Sequence, residues 1–257
     1  MIPEIHIKGL EELAGGYWWH VHRRRMVVEL ARRYGGPAGE GYLDIGCGPG
    51  ATTWRIAEDL SRAGLIKSSG QALGIDGDPR LEPYCRSHGI RFVRQDLEAG
   101  ISGLPSERFS FFTALDVLEH LTRPDDILAQ LKPYLAPGAL GIVTVPAFQF
   151  LFSDWDTKLG HHRRYRIDSL SEVFESAGYE MVWASYLYSF VFPAACLRRK
   201  SGKVEASLED SVVEFPKLPA WLNRILNGAC SAERQALSML GRLPFGTSVI
   251  AAARPRS

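Results

Sequence analysis

Leu43-Asp44-Ile45-Gly46-Cys47-Gly48-Pro49-Gly50 decides how the chain reads. A short apolar run over residues 41–45 stops at glycines 46, 48 and 50. Residues 51–63 follow, with Trp54, Ile56, Ala57 and Leu60 near the period of a helix. Glycines at the end of a strand let the backbone bend sharply and approach a ligand with no Cβ in the way. The helix then offers free N–H groups and the positive end of its dipole. The spacing is GxGxG, not the GxGxxG of dinucleotide folds. A tight strand–helix turn needs the same glycines, so the loop alone leaves its function open.

Outward from the loop, strands and helices alternate. Residues 72–75 (ALGI), 90–93 (IRFV), 109–115 (FSFFTAL) and 139–145 (ALGIVTV) read as the next four strands. Helices are expected over 79–87, where proline suits the first turn, and over about 124–134, ahead of a Pro137-Gly138 turn. Residues 169–177 form a further helix closed by Gly178, and 179–185 alternate as a sixth strand. This alternation implies right-handed crossovers and a parallel sheet covered on both faces. Residues 186–244 break the pattern with an aromatic run (186–197) and a helical run (about 220–243), before 247–253 (TSVIAAA) read as a last buried strand. The expected organisation is one α/β domain: lid helices over 1–40, a cofactor-binding core over 41–185, a helical cap insertion over 186–244, and a last strand and tail over 245–257.

The length of 257 residues allows one generous domain or two small ones. Hydrophobic residues at 46% and charged residues at 23% are the mixture of a globular protein. Thirty basic against 29 acidic side chains leave a net charge of +1, which speaks against a general nucleic-acid binder. The four cysteines, 47, 85, 196 and 230, show no CxxC spacing, so a disulfide framework or cysteine zinc site is not expected and a reducing compartment fits. The first residues contain no signal-peptide apolar core, and no apolar run approaches the ~18 residues of a membrane span. A cytoplasmic protein is expected.

Aspartates close four successive strands: Asp44, Asp76, Asp96 and Asp116. One such residue is ordinarily a helix cap; four in succession are hard to attribute to capping. A carboxylate after the second strand can accept both hydroxyls of an adenosine ribose. With these residues the segments YLDIGCGPG, LGIDGDP, FVRQDLE, FFTALDVLEHL and LKPYLAPGALGIVTVP resemble the ordered motifs of class I S-adenosylmethionine-dependent methyltransferases, over about residues 41–185 and again at FGTSVIAAAR. The resemblance implies a Rossmann-like seven-stranded sheet, mostly parallel, whose last strand is antiparallel. It implies S-adenosylmethionine as cofactor, with the loop bearing Gly46, Cys47, Gly48 and Gly50 on the methionine part. Asp76, beside Gly77, would hold the ribose, Asp96 with Leu97 would contact the adenine, and Leu115, Asp116 and Val117 would line the methyl-donor pocket.

Three regions are candidates for choosing the acceptor. Tyr17, Trp18 and Arg23 lie in an aromatic–arginine stretch similar to the lid helix of small-molecule methyltransferases, although an amphipathic core helix reads the same way. The loop after the fifth strand carries Phe148, His161, His162, Arg163, Arg164 and Tyr165, similar to a GHxRRY segment of small-molecule methyltransferases. A histidine there can take the acceptor's proton, and His161 or His162 is the expected base; the arginines can bind a carboxylate or phosphate, or simply pair with Asp154 and Asp156. Asp116-Val117-Leu118-Glu119-His120 resembles the ExxEH segment of ubiquinone-biosynthesis O-methyltransferases, where acids and histidine are associated with a divalent metal; with aspartate first, no metal is expected here. The run 186–197 is expected as a cap helix lining an apolar pocket, with peripheral membrane contact as the other reading.

The function expected is methyl transfer to oxygen or carbon of a small molecule with an anionic or polar head and an apolar body. Its alternatives are a methyltransferase-like scaffold that lacks the chemistry and an NAD-dependent oxidoreductase, the latter disfavoured by the GxGxG spacing. The partner expected is a small molecule, without nucleic acid; nothing bears on the oligomeric state.

Overall fold

The computed structural model describes residues 4–36, 39, 41–200 and 218–256. Seven strands, β1 (Tyr42–Ile45), β2 (Ala72–Asp76), β3 (Arg91–Arg94), β4 (Phe109–Leu115), β5 (Leu135–Pro146), β6 (Tyr179–Leu187) and β7 (Ser248–Pro255), form one sheet in the order β3-β2-β1-β4-β5-β7-β6. β3 through β5 pair in parallel, and β7 runs antiparallel to both β5 and β6. The chain moves from β1 outward to β2 and β3, then returns to the other side of β1 with β4. The loops after β1 and β4 therefore diverge, and a crevice opens beyond the carboxyl ends of these strands.

Nine helices among the described residues cover the sheet: α1 (Glu4–Leu13), α2 (Trp18–Tyr34), α3 (Ala51–Arg62), α4 (Glu82–Ser87), α5 (Pro124–Leu131), α6 (Asp154–Leu159), α7 (Ile167–Ser176), α8 (Phe192–Lys200) and α9 (Ala220–Leu240). The two-residue period of β1 divides the core. Leu43 and Ile45 join Leu128, Leu170 and Phe174 under α5 and α7, whereas Tyr42 joins Met26, Ile56, Leu60 and Leu237 under α2, α3 and α9. Burial on both faces explains why β1 reads as an unbroken apolar run save for Asp44.

Helix α2 is held over the carboxyl end of the sheet by a buried polar cluster. Glu233 of α9 contacts His22 of α2 (Oε1 to Nε2, 2.8 Å) and accepts the backbone N–H groups of Tyr188 (2.8 Å) and Ser189 (2.6 Å). The indole of Trp19 stacks on the Tyr188 ring with centroids 3.8 Å apart.

Several boundaries differ from the sequence reading. β5 begins at Leu135, and the exposed Pro137-Gly138 pair lies within its first half, where the pairing with β4 changes register between Phe109 and Phe111. β6 continues to Leu187, because Tyr186 and Leu187 pair with Val249 and Ser248. The run 186–197 is thus divided between the sheet and α8. Of the expected cap, residues 201–217 lie outside the described residues.

Candidate active site

The glycine loop is shaped by its own backbone and by two neighbours. Gly46 has φ +68°, and a Cβ there would stand 2.6 Å from Cγ2 of Val117, so both its conformation and its surroundings demand glycine. Gly48, at φ +55°, opens onto free space, with only Leu10 Cδ1 at 4.0 Å from a Cβ position. Its N–H donates to Oδ2 of Asp76 at 3.1 Å, while Oδ1 of Asp76 accepts from the N–H of Asp78 at 3.2 Å. Burial raises the Asp76 carboxyl above its ordinary pKa, against the lowering effect of these backbone donors. Asp44 is turned inward, accepting from Thr53 and Thr113 at 2.5 Å each; burial raises its pKa to about 6, moderated by the two hydroxyls. Gly50 caps the start of α3 with φ +85°, and Cys47 lies 3.9 Å from Cys85, sulfur to sulfur.

A cavity of about 850 Å³ runs from this loop to the segment after β5. Asp44, Gly46, Cys47, Gly48, Asp76, Gly77, Leu97, Leu115, Asp116 and Val117 line one half. The other half is walled by Trp19, His20 and Arg23 of α2, by Glu119, His120 and Leu121, by residues 155–161 together with Arg164, and by Thr247 and Ser248 at the start of β7. Arg23 crosses between the halves and ion-pairs with Asp116, whose other oxygen accepts from Thr144 Oγ1 at 3.0 Å. His20 is buried beside it, with Nδ1 3.2 Å from Nη2 of Arg23. Burial, and then the Arg23 charge, lowers the His20 pKa to about 3.

Asp156 organises the loop after β5. It is fully buried, and its carboxylate accepts from Ser153 N (2.9 Å), from Arg164 Nε (2.8 Å) and Nη2 (2.9 Å), and lies 2.9 Å from Nδ1 of His161. Burial opposes ionisation, yet the bonds from His161 and Arg164 outweigh it and hold this carboxyl well below the usual range. The Nε2 of His161 lies 3.9 Å from Oε1 of Glu119, and its ring meets that of His120 edge-on at 4.6 Å. Glu119 is completely buried and neither of its oxygens has a hydrogen-bond partner among the described residues. Burial, and then the Asp116 charge, raises its pKa well above the ordinary glutamate value.

The structure thus gathers most of the residues singled out in the sequence, but not all. Asp96 is exposed and its side chain caps a short turn by accepting from Glu98 N at 3.1 Å. His162 is exposed, and its backbone N–H donates to Glu119 O at 2.8 Å. Arg163 donates to the Thr122 carbonyl at 3.1 Å, and Tyr165 is buried with its hydroxyl donating to Leu118 O at 3.1 Å. Trp18 points into the core beneath α2, with half-buried Tyr17 packed against it, and its neighbour Trp19 takes the place at the cavity. Phe148 stacks on Tyr186 at 4.7 Å outside the cavity wall, and no residue of 186–197 lines that wall. The apolar surface facing the second half comes from Trp19, Leu121, Trp155 and Leu159 instead. Sequence reasoning passed over Trp19 and His20, and saw Asp156 only as a partner for arginine; its place three residues after Ser153, as in a capping box, was the available signal.

Strand order, glycine loop and strand-end carboxylates together define the class I S-adenosylmethionine-dependent methyltransferases. The cofactor fits what is present: Gly48 leaves a cradle open to the cavity, and each Asp76 oxygen, holding one N–H, retains capacity to accept another donor. A family model described as a methyltransferase domain matches residues 18–184, and the chain belongs to that family. The chain is 34% identical over 112 residues to trans-aconitate 2-methyltransferase of Sinorhizobium fredii, covering 43% of this chain and 39% of that protein. It is 32% identical over 106 residues to tRNA U34 carboxymethyltransferase of Pseudoalteromonas translucida, covering 39% and 30%. The matched stretches thus span less than half of these relatives. Among solved structures, the [4+2]-cyclase SpnF superposes with a TM-score of 0.60 at 20% identity, over 98% of this chain and 93% of that one. That likeness speaks for the fold alone.

Proposed function

We propose that the chain transfers the methyl group of S-adenosylmethionine to oxygen or carbon of a small molecule with a polar head and an apolar body. The observation that carries this reading is one continuous cavity, in which the residues of β1, β2 and β4 expected to hold the cofactor face a compartment of titratable and aromatic side chains. When bound, the cofactor supplies a methyl group already activated on a sulfonium. The protein's work is therefore alignment, exclusion of water and handling of the acceptor's proton. Gly46, Gly48 and Asp76 hold the cofactor, and Asp116 with Val117 borders the compartment where the acceptor lies. The acceptor's proton falls to the group formed by Glu119, His120 and His161, with Asp156 orienting His161. His162 has no part in it. The two arginines that line the cavity are paired with carboxylates, Arg23 with Asp116 and Arg164 with Asp156. This favours a neutral polar head, such as a hydroxyl or phenol, over an anionic one.

The near-neutral charge of the chain supports a small molecule over a nucleic acid. The test is incubation with methyl-labelled S-adenosylmethionine and fractionated small-molecule extract, beside calorimetry with S-adenosylhomocysteine. Label in a low-mass product supports the reading. Tight S-adenosylhomocysteine binding with label only in RNA or protein overturns the acceptor, and absence of binding overturns the enzyme.

A further inference from the structure

We propose that Glu119, His120 and His161 form a binding site for a divalent transition-metal cation, open toward the acceptor half of the cavity. One ligand atom from each residue lies within 4.8 Å of the other two, and all three side chains line the cavity wall.

The first argument is Glu119. A carboxyl group removed from water is costly unless something pairs with it. Glu119 is completely buried, and neither oxygen finds a hydrogen bond among the described residues. The nearest cationic candidate is Nε2 of His161, at 3.9 Å beyond hydrogen-bond reach. A cation between the two satisfies both.

The second argument is the support behind His161. Nδ1 of His161 faces Asp156, which is itself clamped by Arg164 and Ser153. That contact sets the proton on Nδ1 and leaves the Nε2 lone pair directed at Glu119. A carboxylate behind a histidine in this way is the arrangement that orients metal-ligating imidazoles and raises their basicity. A base used once per turnover needs one such histidine; two held side by side, with ring centroids 4.6 Å apart, suit shared ligation.

The third argument is the donor set. Two imidazole nitrogens and one carboxylate oxygen suit zinc, manganese or iron(II), whereas magnesium and calcium call for oxygen. Three protein ligands leave a position for water or for an acceptor hydroxyl. Asp116 is not in the set, because Arg23 and Thr144 engage its two oxygens. The ligands therefore differ from the contiguous acid-x-x-Glu-His stretch at 116–120, His161 arriving from the loop after β5. Resting on the methyl-transfer reading, one consequence follows: a cation held by these three residues would lower the pKa of an acceptor hydroxyl bound beside it, and the hydroxyl proton would pass to water in the cavity while His161 serves as a ligand.

The test uses the full chain stripped with a chelator, then titrated with Zn²⁺ against a chromophoric competitor and with Mn²⁺ by electron paramagnetic resonance. One equivalent should bind. Glu119→Gln, His120→Ala and His161→Ala should each weaken Zn²⁺ binding at least about 10-fold, and Asp156→Asn about 10–100-fold, while His162→Ala leaves it as in the parent. Excess Mg²⁺ should not displace Zn²⁺. Zn²⁺ should raise the thermal midpoint of the parent and not that of Glu119→Gln, a variant of nearly unchanged volume. Absence of stoichiometric uptake by the parent, or equal uptake by the three ligand variants, overturns the site. S-adenosylhomocysteine binding, measured in parallel, separates the two readings: its retention without cation uptake overturns the metal site alone, and its loss with cation uptake intact overturns methyl transfer alone.

Discussion

Arg23 of α2 and Asp116 at the end of β4 form an ion pair in the wall of the cavity, joining the helix over the site to the strand beneath it. Asp116 is held at φ +58°, unusual for a non-glycine residue, and Thr144 fixes its second oxygen. Arg23→Ala leaves that carboxylate partly buried and unpaired. The variant should lose about 1.5–3 kcal/mol of stability, the scale of a hydrogen bond to a charged group, and should bind S-adenosylhomocysteine more weakly. Denaturant melts and calorimetry measure the two effects; an unchanged variant in both would show that the pair does not hold α2 in place.

Asp76 already fixes Gly48 through its backbone N–H, so the carboxylate shapes the loop that it borders. Asp76→Ala removes an acceptor from the cofactor and a strut from the loop. Calorimetry with S-adenosylhomocysteine should show affinity reduced by about 1–3 kcal/mol. Asp96→Ala serves as the comparison, since Asp96 is exposed and caps a turn; a loss equal to that of Asp76→Ala would assign it to the adenine after all.

The strand-end acids were legible because each closes an apolar run, and a strand buried on both faces leaves a plain record in sequence. That record did not separate Asp76, which lines the cavity, from the exposed Asp96, since a carboxylate beside a cavity and one that caps a turn call for the same residue type. Trp18 was singled out and Trp19 was not. Which one faces the cavity depends on the rotation of α2, set by the docking of His22 on Glu233 from the far end of the chain. His161 and His162 are told apart by their contacts: Asp156 of α6 turns the first ring inward, toward Glu119 and His120. Loops carry no hydrophobic period, so this choice was not written in the residues themselves. The glycines were read as a cradle, and the structure divides their work: Gly46 avoids Val117, while Gly48 faces the open cavity.

His20 supplies a pH signature. Its folded pKa is about 3, lowered from 6.5 by burial and by Arg23. Below pH 6.5 the unfolded chain takes up a proton that the folded one refuses. The contribution of neutral His20 to stability is therefore complete above pH 6.5 and is lost as pH falls toward 3, at up to about 1.4 kcal/mol per pH unit. His20→Gln should flatten the decline in stability between pH 6.5 and about pH 5 by about 2 kcal/mol. Denaturant melts across that range measure it, and parallel profiles for parent and variant would mean that His20 titrates normally.

His161 and His162 are neighbours in sequence and opposites in the fold, the first lining the cavity and the second exposed. Once the acceptor is known, His161→Ala should lower kcat by about 10²–10⁴-fold with S-adenosylhomocysteine affinity unchanged, because its ring touches the acceptor half alone. His162→Ala should keep the parental kcat. Asp156→Asn is the sharper variant. The amide retains the volume but supplies one acceptor oxygen where the carboxylate supplies two, and its NH₂ group faces donors on Arg164 or His161. Either outcome disturbs the ring that Asp156 orients, so kcat should fall and its pH profile should shift while the affinity for S-adenosylhomocysteine stays. Arg164→Ala leaves His161 its carboxylate partner and should lower kcat less than Asp156→Asn does. If His161→Ala turns over at the parental rate, the loop only shapes the cavity, and proton removal belongs to His120, Glu119, Asp116 or water.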